Sequence, residues 1–168
     1  MKRAMRVVAG LAVSWLAACA SPGNVSHKLD YCCGPTGADL SSYTLQFNDM
    51  PGFLVPYMRD ALVGALTAKG MHEVRADGQA TVTLTYSETY PDAHQPIVDD
   101  GFGDPLATER SRQFIAVVTL EIRRAADGAE VLRGSLSRMH TVTVGEYMHE
   151  RARAAIRAGF DQLLKKLP

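Results

Sequence analysis

An excess of charge of either sign is the first thing this chain lacks. Its 168 residues carry 18 Lys plus Arg against 18 Asp plus Glu, and no segment concentrates the basic ones. Phosphate backbones are held by such a concentrated patch, so a nucleic acid is not the expected partner. A membrane-spanning run is missing as well. The most apolar stretch, Val7 to Ala18, has 12 residues, whereas a helix needs about 20 to cross a bilayer. Tryptophan occurs once, at Trp15, and cysteine three times, at Cys19, Cys32 and Cys33. No internal repeat is visible, and no set of residues forms a familiar catalytic constellation.

The apolar stretch gains meaning from what flanks it. Lys2, Arg3 and Arg6 precede it as a basic n-region, and it closes on Leu16-Ala17-Ala18-Cys19. This start resembles a bacterial lipoprotein signal peptide, and its last four residues resemble the lipobox of that class. The resemblance implies that the thiol of Cys19 receives a diacylglyceryl group and that cleavage makes Cys19 the first mature residue. It implies further acyl chains of the palmitate type and a protein held on a membrane by them. Ala20 stands where this class carries an aspartate for inner-membrane retention, which points to export to the outer membrane.

Removal of residues 1–18 leaves 150 residues, the size of one ordinary domain with a single core. The loss of three basic residues leaves 15 Lys plus Arg against 18 Asp plus Glu, a mildly acidic mature chain. Residues 19–41 are rich in Ser, Pro, Gly and Asn with few regularly spaced apolar positions, and are read as a lipidated tether. Cys32 and Cys33 fall within it. They pair with one another or stay as two thiols, and the sequence leaves both open, since adjacent residues meet ordinary disulfide spacing poorly. With His27 as the sole nearby addition, they fall short of the four ligands of a structural zinc site.

The remainder, residues 42–168, is expected to form one α/β domain. Tyr43, Leu45 and Phe47 alternate with polar residues as a half-buried strand does. Leu54, Met58, Ala61, Leu62, Ala65 and Leu66 follow helical spacing until Gly70 supplies a stop, with Pro56 tolerated in the first turn. Val82, Leu84 and Tyr86 alternate with threonines as a second strand. A connection of some 25 residues, from Glu88 to Arg112, follows; loops longer than about 12 to 15 residues commonly bind, cover a site or are disordered. Phe114–Arg123 and a strand from Glu130, with Leu132 and Leu136 on one face, read as a hairpin around Asp127-Gly128, the second strand running on towards Val142 and Val144. A closing helix carries an apolar stripe from Met148 to Leu167. The expected fold class is α+β, with two helices packed on one face of a mostly antiparallel four-stranded sheet in the order βαβββα.

Three segments carry a further resemblance: MPGFLVPYMRDALVGALTAKGM, IAVVTLEIRRAADGAEVLRGSLSR and the closing FDQLLKKLP. Together they resemble bacterial lipoproteins with the domain of unknown function 4136, over roughly residues 42–168. The Lys69-Gly70 turn and the Lys165-Lys166-Leu167-Pro168 tail match that family's punctuation. Leu132 stands before Arg133-Gly134 where the family often has tryptophan. The resemblance implies an envelope lipoprotein. The order of elements is also similar to that of the lipoprotein subunit of the outer-membrane lipopolysaccharide translocon, without a shared motif.

Other candidates fall short of their chemistry. His149-Glu150 opens like a zincin helix, but position 153 is Arg153 where the second histidine belongs. Asp99, Asp100 and Asp104 lack both EF-hand spacing and a closing glutamate. Ser137 and His140 have no nucleophile elbow. His72, His94 and Tyr90 read as loop or strand-end residues, and Met50, Phe53, Tyr57 and Met58 as core packing, with a lipid or protein contact as the sharper alternative. Catalytic, cofactor and metal sites are therefore expected to be absent, leaving Cys19 as the one assigned site. The expected function is an outer-membrane-anchored periplasmic lipoprotein, a non-enzymatic binding or assembly module with the membrane and an envelope protein as partners. The alternatives are an accessory lipoprotein of an outer-membrane translocon and a metal-dependent envelope hydrolase.

Overall fold

A computed structural model describes residues 25–33, 40–90, 112–142 and 152–167. Six strands and two helices follow in chain order: β1 (Val25–Cys32), β2 (Ser42–Asn48), α1 (Val55–Thr67), β3 (His72–Glu73), β4 (Ala80–Thr89), β5 (Arg112–Arg124), β6 (Glu130–Val142) and α2 (Arg153–Leu163), the last continued by a 3-10 turn, Leu164–Lys166. The strands form one sheet in the order β1-β6-β5-β4-β2-β3. β1 with β6, β6 with β5 and β5 with β4 are antiparallel, whereas β4 with β2 and β2 with β3 are parallel.

This corrects the expected four-stranded, mostly antiparallel sheet in two respects. The first is the extra strands. Val25–Cys32, read as tether, is an edge strand, and β3 is a two-residue strand beyond β2. Val25, Leu29 and Cys32 are the apolar positions that rest on the core, and a bulge between Leu29 and Tyr31 breaks any regular period. The remaining positions, Ser26, His27, Lys28, Asp30 and Tyr31, are exposed, as at a sheet edge. The second is the mixed pairing. A strand, a helix and a strand in succession return the chain to the same end of a sheet, and β2, α1 and β4 do this, which makes β2 and β4 parallel neighbours.

Alternation sets the two faces. Val82, Leu84 and Tyr86 of β4, Phe114, Ala116, Val118, Leu120 and Ile122 of β5, and Leu132 and Leu136 of β6 are buried beneath the helices. The opposite face carries the half-buried Thr81, Thr83, Thr85, Thr119, Ser135 and Ser137. Helix α1 buries Met58, Ala61, Leu62, Ala65 and Leu66, and α2 buries Ile156, Gly159, Phe160 and Leu163. Pro56 sits in the first turn of α1, where the missing N–H costs nothing. The helix ends in a Schellman closure, with Gly70 at φ 79° and the amide of Met71 donating to the carbonyl of Leu66 at 3.1 Å. The Lys69 ammonium reaches across to the carbonyl of Leu167 at 2.8 Å and so ties the ends of both helices together. Gly134 and Gly159 let α2 approach β6: a Cβ at either position would lie 2.7 Å from a leucine methyl, that of Leu163 or Leu136.

Cys32 and Cys33 are joined to one another by a disulfide. Both rest against the core, and the amide of Cys33 donates to the carbonyl of Val131 at 2.7 Å, extending the β1–β6 pairing. The pair therefore belongs to the domain and not to a tether. No described helix is long and apolar enough to cross a membrane.

Candidate functional site

The N-terminal ends of both helices lie over the same end of the sheet. There, Leu54, Tyr57 and Met58 of the α1 entry, Ala152 and Ile156 at the start of α2, and Tyr86, Ala116, Val118 and Leu136 of the sheet wall an apolar crevice, closed at the β1 edge by Val25. Ala116 and Ala152 are too small to fill the gap between sheet and helices, and a volume of about 40 Å³ remains. That suffices for one to three water molecules or a small apolar group, and falls far below the roughly 300–1,000 Å³ of ligand pockets.

A polar and aromatic rim continues from the crevice. Register brings it together: Glu88 opposes Ala116, Ala116 opposes Arg138, and Phe114 opposes His140. The His140 and Phe114 rings stack with centroids 4.9 Å apart and planes 10° from parallel, and Tyr90 adds a tilted contact with Phe114 at 5.9 Å. The Tyr86 and Tyr90 hydroxyls each donate to one oxygen of Glu88, both at 2.7 Å. These two bonds, with a smaller contribution from His140, hold the carboxyl of Glu88 below its ordinary range. On the helix side, the Arg153 guanidinium lies 5.4 Å from the centroid of the Tyr57 ring, a cation–π contact. Burial pushes the Tyr57 phenol up, against the smaller opposing effects of Arg153 and Arg138.

Chemically, the rim presents a fixed carboxylate, two arginines and stacked aromatic rings around an apolar slot. Among the described residues, no group of three His, Cys, Asp or Glu side chains is placed to hold a metal ion. Ser137 and His140 stand three apart in β6 and so project to opposite faces of the sheet, which leaves that pair unassembled. His72 lies in β3, away from the crevice. Met50 and Tyr57 rest on the core and Met58 is buried, as expected of packing residues, whereas Phe53 is exposed. Cys19, His94, the aspartates at 99, 100 and 104, and His149-Glu150 lie outside the described residues, as does most of the Glu88–Arg112 connection, which is shortened at its start because β4 runs to Thr89. Sequence reasoning placed Glu88 at the start of the long connection, read Tyr90 as a loop or strand-end residue and weighed His140 only beside Ser137. Their meeting depends on strand register, which no single-strand pattern reveals.

No protein-family model matches the chain, and no curated protein matches it. Solved structures are similar to it at low identity. The PelC dodecamer from Paraburkholderia phytofirmans has a TM-score of 0.49 and 10% identity, over 86% of this chain and 98% of that one. Lipoprotein GNA1162 from Neisseria meningitidis has a TM-score of 0.43 and 12% identity, over 75% of this chain and 99% of that one. A minor lipoprotein from Acinetobacter baumannii has a TM-score of 0.36 and 11% identity, over 77% and 90%. Likenesses this distant assign neither family nor function, so the resemblance to the domain of unknown function 4136 rests on the quoted segments alone.

Proposed function

We propose that this chain is a lipid-anchored lipoprotein of the bacterial envelope, cleaved before Cys19 and acylated on its thiol, whose domain is a binding or assembly module and not an enzyme. The observation that carries the reading is the order of features at the N-terminus: three basic residues, a 12-residue apolar run, then Leu16-Ala17-Ala18-Cys19. Two or more acyl chains hold a protein on a bilayer stably where one chain gives only marginal binding. The absence of an aspartate after Cys19 favours the outer membrane, with the domain on its periplasmic face. The rim around Glu88 supports a binding role: it is built for contact by exposed aromatic and charged groups around a slot too small for a substrate.

Expression of the native chain beside Cys19→Ser and Ala20→Asp tests this. The native protein is expected in the outer-membrane fraction and resistant to high-salt extraction, Cys19→Ser in the soluble fraction or uncleaved, and Ala20→Asp in the inner membrane. Membrane retention of Cys19→Ser at high salt, with normal processing, contradicts the anchor.

A further inference from the structure

The anchor also orients the domain. Val25, the first described residue, pairs with Arg138 in the row that runs on through Ala116 to Glu88, so the chain enters the fold at the crevice end of the sheet. With Cys19 lipidated, on which this inference rests, five residues separate it from Val25, and even fully extended the six steps from Cys19 reach only about 20 Å. That is half the roughly 43 Å length of the 13-residue strand β5. The crevice end is therefore held near the bilayer, while the β5–β6 turn at Asp127-Gly128 lies at the far end.

The same end carries the surface a bilayer would take. Among the described residues, the exposed large apolar side chains are Phe53 at 64%, Met139 at 58%, Tyr90 at 53% and Tyr31 at 42%. The three most exposed gather here. Phe53 precedes Leu54 of the crevice wall, Tyr90 lies against Phe114, and Met139, paired with Ile115, projects at this same end from the sheet face opposite to that of His140. Arg153 is exposed and Arg138 half-buried at this end, supplying cations beside the apolar groups. Aromatic rings with adjacent arginines suit the headgroup layer, which offers an apolar boundary below and anionic groups around it.

We propose that this end is a membrane-docking surface: Phe53, Tyr90 and Met139 enter the headgroup layer of the bilayer that holds Cys19, with Arg138 and Arg153 over anionic headgroups. The domain then stands on the membrane by two attachments, one covalent and one reversible, and presents the Asp127-Gly128 end outward.

Loss of Trp15 with the signal leaves a mature chain without tryptophan, so a single introduced one reports its own position. Phe53→Trp, Tyr90→Trp, Met139→Trp and, as the far-end control, Ala126→Trp would be purified as full lipidated chains. Each would be reconstituted in phosphatidylethanolamine–phosphatidylglycerol vesicles with brominated or ordinary acyl chains. Tryptophan at 53, 90 and 139 is expected to lose emission in the brominated vesicles, whereas tryptophan at 126 keeps it. If the protein floats with the vesicles and all four positions respond alike, the anchor stands and the docking surface is wrong. Failure to float with the vesicles removes the anchor and the docking proposal together.

Discussion

Glu88 shows how neighbours define a residue. Its carboxylate accepts a hydrogen bond from Tyr86 and another from Tyr90, and the charged form is favoured because a hydroxyl donates more strongly to a carboxylate than to a neutral acid. Its pKa is thus lowered, and such a group adds stability above the unfolded pKa that is lost as the pH falls through the folded value. Exposure keeps that contribution small, so the site titration is the informative readout. In the double variant Tyr86→Phe/Tyr90→Phe, the Glu88 carboxyl is expected to titrate at higher pH than in the native protein, followed by its side-chain carbon resonance. An unchanged titration would show that the hydroxyls do not hold it. Gly134 is defined by space. A Cβ there would lie 2.7 Å from a Leu163 methyl, which can swing aside, and 2.8 Å from the carbonyl oxygen of Lys28 in the paired strand, which cannot. Gly134→Ala is expected to cost about 1–3 kcal/mol, seen as a lower urea midpoint at unchanged slope. Gly159→Ala meets only the methyl groups and Cγ of the Leu136 side chain and gains helix propensity, so it should cost less.

Among the elements, β1 separates the fold from its sequence pattern. Strands β2, β4, β5 and β6 and both helices were legible because each buries one continuous face: Val82, Leu84 and Tyr86 at period two, Met58, Ala61, Leu62 and Ala65 at helical period. In β1 the bulge after Leu29 and an edge position leave three apolar contacts with no common period, and β3 is too short to carry one. The parallel β2–β4 pair was hidden for another reason, since alternation reports which face is buried and not which neighbour lies alongside. The site suffered most: Tyr86 was visible as a strand residue, but its grouping with Glu88, Tyr90, Phe114 and His140 is a product of register. Deletion of residues 25–33 should distinguish strand from tether. It uncovers the edge of β6 and removes Val25 and Leu29 from the core, for an expected loss on the order of 2 kcal/mol or more and a tendency to associate through the open edge. Denaturation with size-exclusion chromatography checks both. Deletion of residues 20–24 should leave stability unchanged, and an equal loss from the two deletions would count against β1 as a structural strand.

At the scale of the whole molecule, the proposed anchor and the described architecture meet at one end of the sheet. With Cys19 lipidated as proposed, the short span between Cys19 and Val25 would turn a general attachment into an orientation, because the chain enters beside the crevice, the exposed aromatics and the arginines. The helix-covered face holds the core, the opposite face mixes threonine and serine with Ile115, Val117 and Met139, and the charged rim lies at the crevice end of the sheet. Ion pairs such as Arg59 with Glu73, 2.7 Å apart, and the Glu121–Arg123–Glu130–Arg133 group sit on the surface, where each is worth about 0–1 kcal/mol, so the apolar layer between helices and sheet carries the stability. The proposed orientation depends on the modification of Cys19. The intact mass of the mature protein extracted from membranes tests that most directly. The account predicts a polypeptide beginning at Cys19, heavier than its sequence by a diacylglyceryl group and any further acyl chain, with the added mass on the N-terminal peptide. A chain that retains residues 1–18, or one cleaved elsewhere with an unmodified cysteine, would contradict it.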